Sequence, residues 1–535
     1  MRRMQQSPDT APDKIEALRS QLADQAARAE SLACINTQLL RENERIKAQV
    51  FALQEQLHLA IAKRYAASSE KASPDQIRLF NEAEAALAGK LDEQDDAHTP
   101  DAGSSHSAPV RPKRGRRPLP AHLPRIEVVH ELPASERFCD IDGAPLGVIG
   151  NVTCEQLDIV PATIRVLRHV RTQYACACGR CIKLAPLPGQ PIPKSMAAPG
   201  LLAHVTVSKY QDALPLYRQE SILQRIGVDI PRATLANWMI QAGILVQPLI
   251  NLLRDRLLSS DIIQMDETTV QVLKEPNKTA QSKSYLWLQR GGPPDQPVLL
   301  YDYDPGRGAG VPKRLLEGFA GTLQTDGYDG YNAVVAVYNL THLGCFAHAR
   351  RKFDEAIKAQ GRQPRFGLAH QGLALIQKLY GVEKMARTAT PEERHVYRLE
   401  HARPILDQLR VWLDASIPQV PPQTATGKAL NYLHNEWTKL IRYLEDGRYE
   451  IDNNRSENAI RPFVIGRKNW LFSDSVRGVK ASANLYSLIE TAKANGLEPY
   501  AYLRRVFAEL PRAKTVEDFE ALLPGDINRK QVDVG

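Results

Sequence analysis

Residues 261–273 read DIIQMDETTVQVL. Isoleucine, valine and threonine around a central acid are a strand composition, because branched side chains pack well on a pleated, half-buried surface. Two further runs of this kind follow, SYLWLQR (284–290) and PVLLYDYDP (297–305), bounded by Gly, Pro and Asn as strands of one antiparallel meander are. A fourth lies in GTLQTDGYDGYN (321–332), and a fifth around HLGCFAHARRKF (342–353), which runs on into a helix. Asp266 falls inside the first strand and Asp326 at the end of the fourth. Taken singly, Asp266 is a polar strand residue and Asp326 a turn former, since Asp-Gly is a common turn pair.

A third acid changes that reading. In IDNNRSENAIRP (451–462), Asn454 and Glu457 have the spacing of a capping box, which predicts a helix starting near Arg455. The cap leaves unexplained the run after it, RPFVIGRKNWLF, where Arg461, Arg467 and Lys468 alternate with Phe463, Trp470 and Phe472. Cations interleaved with aromatics suit a polyanion, and Arg350, Arg351 and Lys352 add a second basic cluster. An acid on strand one, an acid after strand four and an acid on a later helix is the order of a ribonuclease H-like fold. Three carboxylates around one point repel each other unless divalent cations neutralise them. Hard oxygen ligands suit Mg²⁺ or Mn²⁺, which can clamp the attacking and leaving oxygens of a phosphoryl transfer. Asp266, Asp326 and Glu457 are therefore the candidate catalytic and metal-binding residues.

The whole chain is consistent with a DNA enzyme of several modules. Its 535 residues exceed one core, its 69 Lys and Arg against 61 Asp and Glu leave a net charge of +8, and 43% of residues are hydrophobic. MRRMQQSPDT lacks the apolar segment of a secretory signal and no run is long enough for a membrane helix, so a cytoplasmic protein without a membrane partner is expected.

Residues 12–65 carry a heptad seam, Ile15, Leu18, Leu22, Gln25, Ala29, Leu32, Asn36, Leu39, Asn43, Ile46, Val50, Leu53, Leu57 and Ala60, free of Pro and Gly. This predicts a coiled coil that self-associates, with Asn36 and Asn43 setting register; a solitary helix packed on its own domain is the alternative. Residues 89–118 read as a disordered linker ending in a basic arm, RPKRGRRP.

Between 119 and 195 lie Cys139, Cys154, Cys176, Cys178 and Cys181. Cys178 and Cys181 form one zinc knuckle, while the other, CDID, has Asp142 where a second Cys is expected after Cys139. Structural Zn²⁺ on Cys139, Asp142, Cys176, Cys178 and Cys181 is one reading and a small β module with free thiols the other. Residues 196–250 contain two short helical patterns around Gly227 and Pro231. They read as a helix-turn-helix that offers Arg232, Thr234 and Asn237 to base edges, or as an ordinary helical hairpin. The catalytic core is assigned to 258–485, with a helical insertion at about 355–450, and a C-terminal helical domain to 486–535.

Several motifs together resemble the DDE transposases of the insertion sequence 66 family: CEQLDIVPATIRVLRHVRTQYAC, LLAHVTVSKYQDALPLYRQ, MDET, TDGY, GCFAHARRKF, DNNRSENAIRPFVIGRKNWLF and LYSLIETAKANGLEPYAYL. The resemblance covers nearly everything after residue 115. It implies an N-terminal zipper, a zinc-binding module, a ribonuclease H-like core and a C-terminal domain, with the triad on Asp266, Asp326 and Glu457. It also implies binding of transposon ends and target DNA, hydrolysis and strand transfer, and small accessory proteins. Asp142 departs from the family knuckle, and Asn458 stands where many relatives have Arg. A ribonuclease H-like nuclease without strand transfer, and a non-catalytic DNA-binding regulator, are the competing readings.

Overall fold

A computed structural model describes residues 11–65, 164–171, 173–175, 182–184, 189–360 and 367–527. The linker and basic arm at 89–118, and Cys139, Asp142, Cys154, Cys176, Cys178 and Cys181, lie outside the described residues. Residues 164–170, in a unit distinct from the rest, are exposed and without regular structure.

The larger unit opens with one long helix, α1 (Ala11–Tyr65). A two-stranded antiparallel ladder, β1 (Gln173–Ala175) with β2 (Ile182–Leu184), follows, and Ala175 pairs with Ile182 across the interval that holds three of the cysteines. Four helices come next, α2 (Pro199–Tyr210), α3 (Leu216–Arg225), α4 (Arg232–Leu245) and α5 (Gln247–Leu258). The α3–α4 turn passes through Gly227 at φ +82°, a left-handed value that glycine adopts without strain, and Pro231 fixes the entry to α4. Its sequence, with the exposed Arg232 and Asn237 on one side and Leu235, Trp238, Met239 and Ala242 buried on the other, sets which face is free.

The sheet has β3 (Ile262–Lys274) at its centre. On one side run β4 (Lys283–Gly291) and β5 (Val298–Asp304), the antiparallel meander expected from the sequence. After α6 (Gly310–Leu315), the short β6 (Thr322–Gln324) pairs with the other edge of β3 in parallel. Helix α7 (Asn332–Tyr338) then leads to β7 (Thr341–Leu343), parallel to β6, giving the order β5-β4-β3-β6-β7.

From there the chain leaves the sheet for a second hydrophobic core, built by α8 (Phe346–Ala359), α9 (Leu368–Met385), α10 (Pro391–His401), α11 (Arg403–Ser416), α12 (Ala425–Asn435) and α13 (Trp437–Ile441). It returns through α14 (Asn454–Trp470), whose Ile460 and Phe463 rejoin the sheet core. The short β8 (Ser473–Ser475) lies parallel to β3, and α15 (Val476–Ala494), α16 (Pro499–Glu509) and α17 (Val516–Glu520) are the last helices among the described residues.

Helix α15 solves the edge problem of β5. Ser487 Oγ accepts from Tyr301 N at 2.8 Å, Thr491 Oγ1 exchanges bonds with Leu299 N and O at 3.0 Å, and Asn495 Nδ2 donates to Pro297 O at 2.9 Å. Polar residues four apart on one helix face thus satisfy alternate backbone groups of an edge strand and deny it to other chains.

The C-terminal part of α1 docks on the insertion: Glu55 accepts from Ala425 N at 2.7 Å and His58 Nδ1 lies 3.1 Å from Ala359 O. The rest of α1 exposes Leu18, Leu22, Leu32, Leu39, Ile46, Val50 and Leu53 of the seam. Among the described residues no single helix is long and apolar enough to cross a membrane.

Gly243 on α4 decides how the α3–α4 pair sits on α15, because a Cβ there would lie 2.5 Å from Ala481 Cβ. Helix propensity favours Gly243→Ala by about 1 kcal/mol, whereas overpacking costs about 1–3 kcal/mol. Packing wins here, because the obstructing atoms include the Ala481 backbone. Gly243→Ala is therefore expected to destabilise the protein in chemical denaturation; a stabilised variant would show that the two helices can separate without cost.

Candidate active site

The loop into α14 gathers the site. Asn453 Nδ2 donates to Met265 O at 2.8 Å, one residue before Asp266, and its backbone N–H donates to Cys345 Sγ at 3.2 Å. Phe346 N donates to Ile451 O at 3.1 Å, joining the start of α8 to the same loop. Further along α14, Tyr301 Oη donates to Ala459 O and the Arg467 guanidinium donates to Thr269 O. These bonds hold the first turn of α14, with Glu457, against the middle of β3.

The expected capping box is not formed. Asn453, not Asn454, is the N-cap, and no side chain caps the helix. The Asn454 side chain donates to Asp452 Oδ2 at 2.7 Å, and Glu457 accepts from Arg351 Nη2 at 3.0 Å. A nearby guanidinium outcompetes a backbone N–H for a carboxylate, because both bonding groups are charged.

Asp266, Asp326 and Glu457 meet as charges. Burial pushes the Asp266 carboxyl well above the usual carboxylate range, and the neighbouring charges of Glu267, Glu457 and Asp326 push it further. Only the bond from Glu267 N to Asp266 Oδ1, 2.8 Å, opposes the rise. Asp326 follows β6 by two residues and accepts from Tyr328 N at 3.0 Å, so the turn role and the place in the cluster coexist. Gly327 lets Tyr432 approach, since a Cβ would lie 2.7 Å from its ring.

Glu267 is the acid that sequence reading passed over. Its side chain is 3% exposed, accepts from Tyr331 Oη at 2.5 Å and pairs with Arg307 Nη2 at 2.5 Å. Arg307 stacks on the Tyr328 ring at 3.9 Å, and Tyr328 Oη donates to the Arg307 carbonyl at 2.6 Å. This network ties the residue after Asp266 to the turn that holds Asp326. MDET showed two adjacent acids, but nothing local in the sequence pairs Glu267 with a residue in DPGRGAG.

Around Glu457, His348 Nδ1 lies 3.5 Å from Oε1, and both atoms are buried without a hydrogen-bond partner. Burial lowers the His348 pKa against the opposing pull of Glu457. The donors gathered here are carboxylate oxygens, the kind that suit a hard divalent ion.

The candidate DNA-contacting residues divide. Arg232, Thr234 and Asn237 lie in the first turns of α4, with Arg232 and Asn237 exposed. Arg351 is committed to Glu457, Arg350 stacks on Tyr380 at 5.0 Å and Lys352 on Tyr432 at 5.1 Å. Arg467 is drawn onto Thr268 and Thr269 of β3, Arg461 is half-buried on α14, and Lys468 is exposed.

Comparison with known proteins gives the family. The family model "Transposase IS66 family" matches residues 194–481, and "IS66 C-terminal element" matches 487–524. "Transposase C of IS166 homeodomain" matches 52–128 and "zinc-finger binding domain of transposase IS66" matches 136–179. Among similar proteins is uncharacterized protein y4jD of Sinorhizobium fredii (strain NBRC 101917 / NGR234), 33% identical over 429 residues, which are 77% of this chain and 82% of the relative. Uncharacterized protein y4qI of the same strain is 33% identical over 435 residues, 78% of this chain and 79% of the relative. The chain belongs to the IS66 family of transposases.

Proposed function

We propose that this chain binds the ends of its insertion sequence and catalyses metal-dependent hydrolysis of phosphodiester bonds, followed by transfer of the freed 3′-hydroxyls into target DNA. One observation carries the proposal: the charges of Asp326 and Glu457, from two segments distant in sequence, bear together with the adjacent Glu267 on the buried Asp266 carboxyl at one place beside β3. A fold gains nothing from such repulsion, so the arrangement speaks for a ligand that removes it. The strand order, with three antiparallel strands followed by two parallel ones and an acid after the fourth, supports a ribonuclease H-like core with a helical insertion.

The residues present fit Mg²⁺ or Mn²⁺, with Asp266, Asp326 and Glu457 as its oxygen ligands. A bound ion supplies polarisation of the scissile phosphate and stabilises charge on the attacking and leaving oxygens. The chain's own part is placement. Asn453 fixes Glu457 relative to Asp266, and the Tyr328 N–H orients Asp326. Arg307 neutralises Glu267, so that the acid adds less to the repulsion. Arg351 pairs with Glu457 and leaves it by turning to solvent, where nearly half its side chain already lies.

DNA enters this reading through Arg232, Thr234 and Asn237 on α4, and through Arg461, Lys468 and the rim cations Arg350 and Lys352. The segment matched by the zinc-finger model would hold Zn²⁺, and small accessory proteins would assist. The apolar seam of α1 would pair two copies, and with them two transposon ends, in the cytoplasm. A regulator without catalysis would have no use for the acid cluster.

Incubating the full chain with labelled transposon ends and Mg²⁺ tests the enzyme. Asp326→Asn is expected to lower cleavage and strand transfer by at least about 10²–10³-fold, the scale of losing one electrostatic partner of a transition state. End binding should stay intact. Arg232→Ala is expected to weaken binding by about 1–3 kcal/mol. An Asp326→Asn protein that cuts at the wild-type rate would overturn the assignment, and cleavage without joining would favour the nuclease.

The seam makes a separate claim. Leu32→Lys with Leu39→Lys, both at exposed positions of α1, should convert the full chain from dimer to monomer in light scattering while its melting temperature holds. Unchanged mass in the double variant would remove α1 as the pairing element.

A further inference from the structure

Beside the acid cluster, Cys345, His348 and Glu457 each offer one donor atom, and the three atoms lie within 4.8 Å of one another. Cys345 immediately precedes α8 and His348 lies in its first turn, so three residues of spacing bring both side chains to one end of the helix. Glu457 comes from the first turn of α14. Two of the three donor atoms, His348 Nδ1 and Glu457 Oε1, are buried and have no hydrogen-bond partner. Such orphaned atoms are uncommon in native proteins and ask for an explanation.

We propose that Cys345, His348 and Glu457 form a binding site for a thiophilic divalent cation of the zinc class, chemically distinct from the hard-ion site of the three carboxylates. A thiolate, an imidazole and a carboxylate are the ligand types zinc takes, and three protein ligands leave a fourth position open. Tetrahedral bonds of about 2.0–2.3 Å put ligand atoms roughly 3.3–3.7 Å apart. The His348–Glu457 separation of 3.5 Å already fits, and no other gap has to close by more than about an ångström.

The surroundings of each ligand agree. The Asn453 N–H points at Cys345 Sγ from 3.2 Å, the kind of outer contact that steadies a metal-bound thiolate. Arg351 occupies Glu457 Oε2 and leaves Oε1 for the ion. Arg351 Nη1 also lies 3.4 Å from His348 Nε2; with Nδ1 on the metal the ring proton sits on Nε2, and the half-exposed Arg351 turns outward. Binding expels the Cys345 thiol proton to solvent. Occupancy takes Glu457 Oε1 away from the acid cluster, so an ion of this class would hold the catalytic acid in an unproductive pairing. The site itself stands on geometry alone and does not require the transposition reaction.

Anaerobic titration of the metal-free full chain with Co²⁺, without DNA, tests it through the thiolate-to-cobalt charge-transfer band and the number of ions bound. The zinc-finger segment contributes equally to every variant, so the comparison is between proteins. Wild type is expected to bind one more Co²⁺ than Cys345→Ala, with a correspondingly stronger band. His348→Gln should keep the fold and weaken that same ion by at least about tenfold, since a lost ligand costs no less than a lost outer partner. Equal stoichiometry and equal bands in wild type and Cys345→Ala would overturn the site. Should Cys345→Ala fail to fold, an unchanged Co²⁺ affinity in His348→Gln would overturn it alone. Because no cleavage is measured, failure here leaves the transposase reading untouched.

Discussion

The site depends on one residue that carries no charge. Asn453 spans β3, the start of α8 and the start of α14, through Met265 O, Cys345 Sγ and its own place as N-cap. Each of those contacts lies within a few residues of an ionisable group: Asp266 after Met265, His348 after Cys345, Glu457 after Asn453. About a hundred residues of helical insertion separate the fifth strand from Glu457, and the insertion has its own hydrophobic core. The Asn453 bridge acts with the bonds from Tyr301 and Arg467 further along α14 to fix Glu457 against the sheet. The buried side-chain amide is costly to lose, because Met265 O is left unpaired.

Around that bridge the fold accepts electrostatic strain and contains it. The charges of Glu267, Glu457 and Asp326 all bear on Asp266, while Arg307 and Tyr331 bind the Glu267 carboxylate and offset part of its charge. The containment uses aromatic packing as well as charge, since Tyr328 and Tyr331 meet edge to face at 5.8 Å and carry the hydroxyls that bond Arg307 and Glu267. Edge protection of β5 by Ser487, Thr491 and Asn495 shows the same economy at the other end of the sheet.

Much of this was legible in the sequence where the signal is local. β-Branched runs marked β3, β4 and β5, and the order of the acids along strands and helix was readable from spacing. What escaped was set by tertiary contact. Asn454 and Glu457 had capping spacing, but Asp452 and Arg351 offered stronger partners and left Asn453 as the N-cap. Arg467 read as a DNA contact, yet β3 carbonyl and hydroxyl groups take its guanidinium. Glu267 and Arg307 sit far apart in sequence, so their pairing had no periodic trace. The seam of α1 was visible along its length, while the docking of Glu55 on the insertion was not.

The central claim is that the acid cluster is a cation site held at a cost in stability. Burial and the other acids raise the Asp266 carboxyl, so the folded chain holds that proton more tightly than the unfolded chain. Stability from this group is then present at low pH and lost as pH rises through the folded value. The direct measurement is the melting temperature of the metal-free protein and of Asp266→Asn from acidic to neutral pH, with and without Mg²⁺. The account predicts that, as pH rises, the wild type loses stability relative to the variant, and that Mg²⁺ restores the wild type while leaving Asp266→Asn unmoved. A variant less stable than wild type at neutral pH, with Mg²⁺ shifting neither protein, would contradict it.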